Sequence, residues 1–210
     1  MAVQLSTVRL FRSGPAAASS PPREQHVPPS LRALIMQPWP ESRHLRTVPQ
    51  PVTEVLPRLF ISDLAMAENP AVLASLAITH VLSVMPGFVA LPPELALHHA
   101  QVPLDDFPFA ELVAHLPATT AFIANALRDP AARVLVHCGE GISRSPSVVC
   151  AYLVAQYGLT PPQAVQFVKS RRRVADPNPG FVAQLYEYAE LVRHPSSGAV
   201  VAAAAPPPLS

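Results

Sequence analysis

Residues 133–147 decide the fold of this chain, and they read Arg-Val-Leu-Val-His-Cys-Gly-Glu-Gly-Ile-Ser-Arg-Ser-Pro-Ser. The apolar run at 134–136 has the length and composition of a buried strand. Cys138 follows, and the glycines one and three positions later allow a tight loop whose backbone approaches a ligand closely. Ser145 is expected to cap the long apolar helix that comes next, with Pro146 in its first turn. The stretch therefore predicts a strand, a tight loop and a helix in immediate succession.

A strand, loop and helix of this kind form a suitable cradle for a phosphoryl group. Successive backbone N–H groups point into one concavity, and the helix N-terminus adds positive potential. Arg144, six positions after the cysteine, can hold two phosphate oxygens with its planar guanidinium. The same field stabilises the thiolate of Cys138, which makes it a nucleophile. We therefore expect one loop to hold both an anion site and the attacking group.

The string His-Cys-Gly-Glu-Gly-Ile-Ser-Arg-Ser-Pro, at residues 137–146, resembles the signature of cysteine-dependent protein phosphatases, and in particular of their dual-specificity branch. The resemblance extends from about residue 52 to about residue 193, with supporting matches at 102–106 and 176–181. It implies a metal-independent phosphomonoester hydrolase, without a cofactor, that acts on phosphotyrosine and phosphoserine/threonine of proteins through a phosphocysteine intermediate. With no kinase-docking domain expected before the globule and no cysteine-rich zinc module after it, the chain is similar to the small atypical members.

The mechanism that this resemblance implies gives each motif residue a role. Cys138 attacks the phosphorus, and Arg144 binds the equatorial oxygens more tightly in the transition state than in the ground state. Ser145 steadies the thiolate as it leaves in the second step, and His137 orients the loop and tunes the thiolate. The substrate-binding loop consists of Gly139, Glu140, Gly141, Ile142, Ser143 and Arg144.

The proton for the leaving oxygen is expected to come from a carboxyl group that later activates water. Asp105 and Asp106 both follow the strand that ends at Leu104, and their spacing alone does not choose between them. The resemblance aligns the general acid of the family with Asp106. It also aligns Asn178 with an asparagine that braces the phosphate loop.

Composition separates an apolar globule from proline-rich flanks. The chain has 210 residues, of which 14% are charged, 50% are hydrophobic and 27 are prolines. We predict a disordered Pro-rich segment at 1–50, one catalytic domain at 51–194 and a disordered Ala/Pro-rich tail at 195–210. The rival interpretation for residues 1–23 is a mitochondrial transit peptide, because they carry arginines and no acid.

The charge balance and the two cysteines exclude several classes of protein. A net charge of +1 predicts no general affinity for nucleic acid, and two cysteines without CxxC spacing exclude a disulfide framework or a cysteine-rich zinc site. No apolar stretch approaches the length of a membrane span. Since a catalytic thiolate needs a reducing compartment, we expect the protein in the cytoplasm or nucleus. We also expect a monomer, with phosphorylated proteins as its partners.

The rest of the chain alternates between strand and helix patterns, which predicts an α/β fold with a central, mostly parallel twisted sheet flanked by helices. We predict strands at 52–56, 59–61, 78–84, 97–104 and 134–136, and helices at 62–68, 70–76, 111–128, 145–157, 160–172 and 178–192. Three of these helices are expected to begin with a cap residue followed by a proline, at Asn69-Pro70, Thr160-Pro161 and Asn178-Pro179. Pro117 is expected to bend or divide its helix. His98 and His99 are interpreted as ordinary strand histidines and residues 169–173 as a solvated basic helix end.

Two alternatives remain open at this point. One is a lipid-phosphate phosphatase, mitochondrial if residues 1–23 are a transit peptide, which is disfavoured because Gly139, Glu140 and Ile142 place no positive charge in the loop. The other is a phosphosite-binding scaffold without turnover, disfavoured because Cys138, Arg144 and an acid are all present.

Overall fold

The structure is a computed structural model that describes residues 52–194. The predicted Pro-rich segment, the transit-peptide alternative and the Ala/Pro-rich tail lie outside the described residues. The described strands are β1 Val52–Leu56, β2 Leu59–Ser62, β3 His80–Val84, β4 His98–Val102 and β5 Val134–His137. The described helices are α1 Leu64–Ala67, α2 Pro70–Ser75, α3 Leu112–Ala126, α4 Arg144–Tyr157, α5 Pro161–Arg171 and α6 Pro179–Arg193.

The five strands form one sheet in the order β1-β2-β5-β3-β4. Strand β1 pairs with β2 in antiparallel fashion, and every other pair in the sheet is parallel. Strand β5 is buried throughout and lies at the centre, as its short apolar sequence predicts. The predicted α/β fold is therefore confirmed, and the carboxyl end of the central strand leads directly into the loop at 138–143, where such sheets bind ligands.

Helix α4 is the centre of the larger hydrophobic core. Eleven of its fourteen residues are buried, and it contacts α3, α5 and α6. This burial agrees with the absence of any charged residue between Ser145 and Tyr157. Gly158 ends the helix with a positive φ of 67°. The other face of the sheet buries a smaller cluster that includes Phe60, Leu73 and Leu135.

Several predicted boundaries are confirmed by local hydrogen bonds. Asn69 caps α2 by accepting from Ala71 and Val72, and Asn178 caps α6 by accepting from Phe181. The two helices begin at prolines, as predicted. No helix among residues 52–194 combines the length and apolar character that a bilayer crossing requires.

Other boundaries differ from the prediction. Strand β4 covers His98–Val102 and is shorter at both ends than the predicted 97–104. Before its start, a 3-10 turn ends at Leu95 and Ala96 takes a left-handed conformation. Pro117 does not divide α3, which is one helix. The hydroxyl of Thr120 donates to the carbonyl of Leu116 within it.

The prediction that Ser145 caps α4 is wrong. The helix begins one residue earlier, at Arg144, and its N-cap residue is Ser143. Ser145 is completely buried inside the first turn, where its hydroxyl faces Cys138 instead of a free backbone N–H group. The prediction took the residue before Pro146 as the cap, whereas the tight loop already enters the helix at Arg144.

Candidate active site

Cys138 lies at the bottom of the loop between β5 and α4, with 1% of its surface exposed. Its Sγ atom accepts a hydrogen bond from the backbone N–H of Gly141 at 3.2 Å and another from the hydroxyl of Ser145 at 3.3 Å. Both donors favour a charged sulfur over a neutral thiol. The sequence therefore places its candidate nucleophile where the fold supplies two hydrogen bonds to it.

The loop around Cys138 is held from outside through its carbonyl groups. The carbonyl of Gly139 accepts from the N–H of Leu64 at 3.1 Å, and the carbonyl of Ile142 accepts from the N–H of Asp176 at 2.6 Å. The carbonyl of Gly141 accepts from Nε of Arg172 at 2.8 Å. In a planar trans peptide the following N–H points the opposite way. The N–H groups of residues 140, 142 and 143 therefore point toward the concavity, like that of Gly141.

Gly141 is the position in this loop that only glycine can occupy. Its φ is +67°, and a Cβ there would lie 2.6 Å from the carbonyl oxygen of Ser62 and 2.7 Å from a guanidinium nitrogen of Arg172. The loop can therefore curl tightly enough to bring an N–H back to the sulfur of Cys138.

Arg144 reaches back over the start of the loop. One guanidinium nitrogen donates to the carbonyl of Leu104 at 3.2 Å, and another lies 3.3 Å from the position of a Cβ on Gly139. Its Nε atom is 3.5 Å from Oδ2 of Asp106. This Nε is buried and has no hydrogen bond from the part of the chain that the structure describes. A buried guanidinium donor without a hydrogen bond is typical of a ligand site.

Asp106, and not Asp105, is brought into contact with the loop. Its Oδ1 accepts from the hydroxyl of Ser143 at 2.7 Å and from the side-chain amide of Asn178 at 2.8 Å. The backbone N–H of Asn178 in turn donates to the Ser143 hydroxyl at 3.1 Å. Asp105 is exposed on the same segment. Spacing in the sequence could not separate the two carboxylates, whereas the resemblance chose Asp106. The contacts that distinguish Asp106 are made by Ser143 in the loop and by Asn178 at the start of α6.

His137 is fully buried behind the loop. Burial lowers its pKa to about 4, which makes the imidazole neutral near pH 7. Its Nε2 lies 2.6 Å from the hydroxyl of Ser83, and the same hydroxyl lies 2.8 Å from Nε2 of His99. Sequence reasoning missed Ser83, and it treated His99 as an ordinary strand histidine. Both residues become apparent from the register of β3, β4 and β5, which places Ser83 opposite His137 and puts His99 on the same face.

The adjacent histidine pair does not form a single site. His98 stacks on the ring of His80 at 4.6 Å between ring centroids, whereas His99 bonds to Ser83. Within residues 52–194 there is no group of three or more histidine, cysteine, aspartate or glutamate side chains placed to hold a metal ion.

The buried side chain of Arg172 shows that the interpretation of residues 169–173 as a solvated basic helix end is wrong at this position. Helix α5 ends at Arg171, and the extended backbone of Arg172 turns its side chain inward, leaving 4% exposed. It donates to the carbonyl of Gly141 and to the hydroxyl of Thr53, at 2.8 and 3.1 Å. Burial lowers its pKa, and the charges of Asp63 and Cys138 act in the opposite direction.

The remaining residues of interest lie as follows. Cys150 is a free, fully buried thiol in α4 that packs in the core, and burial raises its pKa. Glu140 is exposed at the mouth of the loop, and Ile142 is half-buried. Neither brings a positive charge to the loop.

Residues 59–191 match the family model described as "Dual specificity phosphatase, catalytic domain". The chain is 35% identical to mouse dual specificity protein phosphatase 13B over 166 residues, which cover 76% of this chain and 82% of that protein. It is 39% identical to human dual specificity phosphatase 28 over 149 residues, which cover 70% of this chain and 82% of that protein.

Solved structures agree with this result. A mouse putative dual specificity phosphatase complexed with zinc tungstate superposes with a TM-score of 0.64 at 34% identity, covering 73% of this chain and 95% of that chain. Human dual specificity phosphatase 28 gives a TM-score of 0.64 at 36% identity, covering 70% and 98%. Together with the cysteine loop, these similarities show that the chain is an atypical dual specificity phosphatase of the cysteine-dependent protein tyrosine phosphatase superfamily.

Proposed function

We propose that this protein phosphatase removes phosphate from phosphotyrosine and phosphoserine/threonine through a phosphocysteine intermediate on Cys138. The observation that carries this proposal is the pair of donors, Gly141 N–H and Ser145 hydroxyl, directed at one buried sulfur. A tetrahedral oxyanion, tungstate, accompanies the related mouse phosphatase. The inward N–H groups of the loop and the unbonded Nε of Arg144 offer donors to such an anion in this chain.

In the first step the Cys138 thiolate attacks the phosphorus. A sulfur–phosphorus bond forms while the bond to the ester oxygen breaks, and Asp106 gives that oxygen a proton. Oδ1 of Asp106 already accepts two hydrogen bonds, from Ser143 and Asn178. The transferable proton is therefore assigned to Oδ2, the oxygen that faces Arg144.

In the second step the carboxylate of Asp106 takes a proton from water, and the resulting hydroxide equivalent attacks the phosphorus. The sulfur–phosphorus bond breaks, and inorganic phosphate and the thiolate separate. The hydroxyl of Ser145 donates to the leaving sulfur, which lowers the cost of forming its negative charge. We assign to His137, which is completely buried next to Cys138 in the chain, the role of orienting the loop.

Gly139, Glu140 and Ile142 bring no positive charge to the loop that would attract anionic lipid headgroups, so we assign protein phosphoesters as the substrates. Rapid-quench trapping of labelled phosphoenzyme from a phosphotyrosine peptide tests the proposal. We expect a covalent phosphoenzyme to accumulate in the Ser145→Ala variant, whose second step is slowed, and none in Cys138→Ser. Turnover that persists in Cys138→Ser contradicts the mechanism. Faster turnover of diacylglycerol phosphate vesicles than of phosphopeptides contradicts the substrate class.

A further inference from the structure

Three polar side chains lie in a row on one face of the sheet and lead from the protein surface to the residue before the nucleophile. Ser83 on β3 is opposite His137 on β5 in the parallel register. On the other side of β3, Ser83 is opposite Gln101 of β4, and His99 is two residues earlier on that strand. Because side chains alternate between the faces of a strand, an offset of two residues keeps all three on one face.

The hydroxyl of Ser83 connects the two imidazoles. Its Oγ lies 2.6 Å from Nε2 of His137 and 2.8 Å from Nε2 of His99, both within hydrogen-bond distance. Ser83 and His137 are completely buried, whereas His99 is exposed at the edge strand. The row therefore joins a titratable group in contact with solvent to a buried one beside the catalytic loop.

A serine hydroxyl has a single proton, so it donates to one histidine and accepts from the other. When His99 is protonated, its Nε2 carries a hydrogen and must donate to Ser83. Ser83 then donates to Nε2 of His137, whose own ring proton is left on Nδ1. When His99 is neutral, the reverse direction is also allowed, with the proton of His137 on Nε2.

We propose that Ser83 and His99 are positioning residues for the nucleophile, acting through the ring tautomer of His137. Protonation of His99 selects the tautomer with the hydrogen on Nδ1. This nitrogen lies beside the backbone of Cys138, which favours a proton there, although it makes no hydrogen bond of full geometry within residues 52–194. An N–H directed at that backbone fixes the first peptide of the phosphate loop.

The groups around these three side chains set the pH at which the tautomer of His137 changes. Burial lowers the pKa of His99, so its protonation takes place below about pH 6.5. His137 stays neutral down to a pKa of about 4; the carboxylates of Asp63 and Glu68, on either end of α1, favour its protonation, and His99 opposes it. Cys138 is the ionisable group on the loop side. Between these limits His99 is the member of the row that titrates.

Nitrogen-15 NMR of the histidine rings tests the proposal without substrate, because long-range correlations distinguish a ring N–H from a bare nitrogen. We expect the fraction of His137 with its proton on Nε2 to increase at least twofold between about pH 5 and about pH 8, with the midpoint of His99. In Ser83→Ala and His99→Phe that fraction is expected to be independent of pH. A constant tautomer ratio in the wild-type protein overturns the proposal.

His98→Gln is the matched control, because it removes a neighbouring strand histidine that stacks on His80 and does not contact Ser83. We expect it to retain the change in tautomer, and a flat profile in this variant overturns the proposal. If His99→Phe fails to fold, His99→Gln provides the same comparison with a polar side chain.

The catalytic consequence rests on the proposed function and is measured separately. For a phosphotyrosine peptide, we expect the acid limb of kcat/KM to contain an inflection at the midpoint of His99, and His99→Phe to remove it. An inflection that persists in His99→Phe overturns the catalytic part of the proposal. If the wild-type protein shows no turnover of the peptide, the proposed function is contradicted. The NMR test of the tautomer does not depend on that outcome.

Discussion

The hydroxyl of Ser145 donates to the sulfur of Cys138 at 3.3 Å from inside the first turn of α4. Both atoms are buried, and the donor belongs to a helix whose position is fixed by the core. The hydrogen bond therefore does not depend on loop motion. It matters most when the sulfur regains its negative charge, in the step that releases phosphate.

We expect Ser145→Ala to slow the second step and not the first. A hydrogen bond to a charged group is worth about 1.5–3 kcal/mol, which corresponds to a roughly 10- to 100-fold decrease in kcat. In p-nitrophenyl phosphate hydrolysis, kcat/KM should stay nearly constant while a burst of p-nitrophenol appears. Ser147→Ala is the control, because that buried hydroxyl donates to the carbonyl of Ser143 and does not reach Cys138. An equal fall in kcat and kcat/KM would contradict the assignment.

Asp106→Asn should decrease turnover according to the leaving group. General acid catalysis contributes roughly 10²- to 10⁴-fold, and it is needed least when the leaving oxygen is already a weak base. We expect a large loss with phenyl phosphate and a small loss with an activated aryl phosphate. Asp105→Asn, on the exposed neighbour, should leave both rates within about twofold. A larger effect from Asp105 would transfer the role to that residue.

Arg172 should be required for the shape of the loop. Replacement by methionine removes the donors to Gly141 and Thr53 and leaves a buried carbonyl without its partner, at a cost of about 1–3 kcal/mol. Guanidinium chloride unfolding should show this loss, and kcat/KM should decrease because the N–H of Ile142 is no longer aligned. Arg173→Met, at the exposed neighbour, should change neither by a measurable amount. Equal stability of the two variants would argue against a bracing role.

Gly180 should be needed to hold the acid loop. A Cβ at this position would lie 1.8 Å from the carbonyl oxygen of Pro108, so Gly180→Ala must displace the segment that carries Asp106. A glycine-to-alanine change inside a helix ordinarily stabilises by about 1 kcal/mol, whereas here we expect destabilisation. As for Asp106→Asn, the loss of activity should be large with phenyl phosphate and small with an activated aryl phosphate. Ala183→Gly, on the exposed side of the same helix, should lower stability slightly without that dependence.

Stability should decrease as the pH falls through the range governed by His137. Its pKa is about 4 in the folded protein and about 6.5 when unfolded, so the unfolded chain binds the proton first. The contribution of His137 to the free energy of unfolding is therefore fully present above about pH 6.5, and it decreases as the pH falls from there to about pH 4. Between about pH 7.5 and about pH 5 this group alone accounts for about 2 kcal/mol.

The measurement is denaturant unfolding at those two pH values in wild type and in His137→Asn. The variant is less stable at neutral pH, but its decrease on acidification should be smaller than that of the wild type. His98→Gln serves as the comparison, since that ring is exposed. Identical pH dependence in wild type and His137→Asn would contradict the role of burial.

The elements could be predicted wherever local chemistry decides the conformation. The apolar run of β5, the caps Asn69 and Asn178, and the prolines that begin α2, α5 and α6 all act on their immediate neighbours. Predictions failed where a distant residue decides the outcome. Helix α4 begins at Arg144 and not at Ser145, because the loop and the core together fix its start.

By itself, the sequence determined the loop between β5 and α4, since spacing, glycine and one apolar strand are properties of consecutive residues. Only the tertiary structure decided that Asp106 and not Asp105 meets Arg144, that Arg172 is buried under Gly141, and that His99 reaches His137 through Ser83. Each of these contacts joins segments far apart in the chain. Strand register and helix packing bring them together, and neither is written in any local pattern of residues.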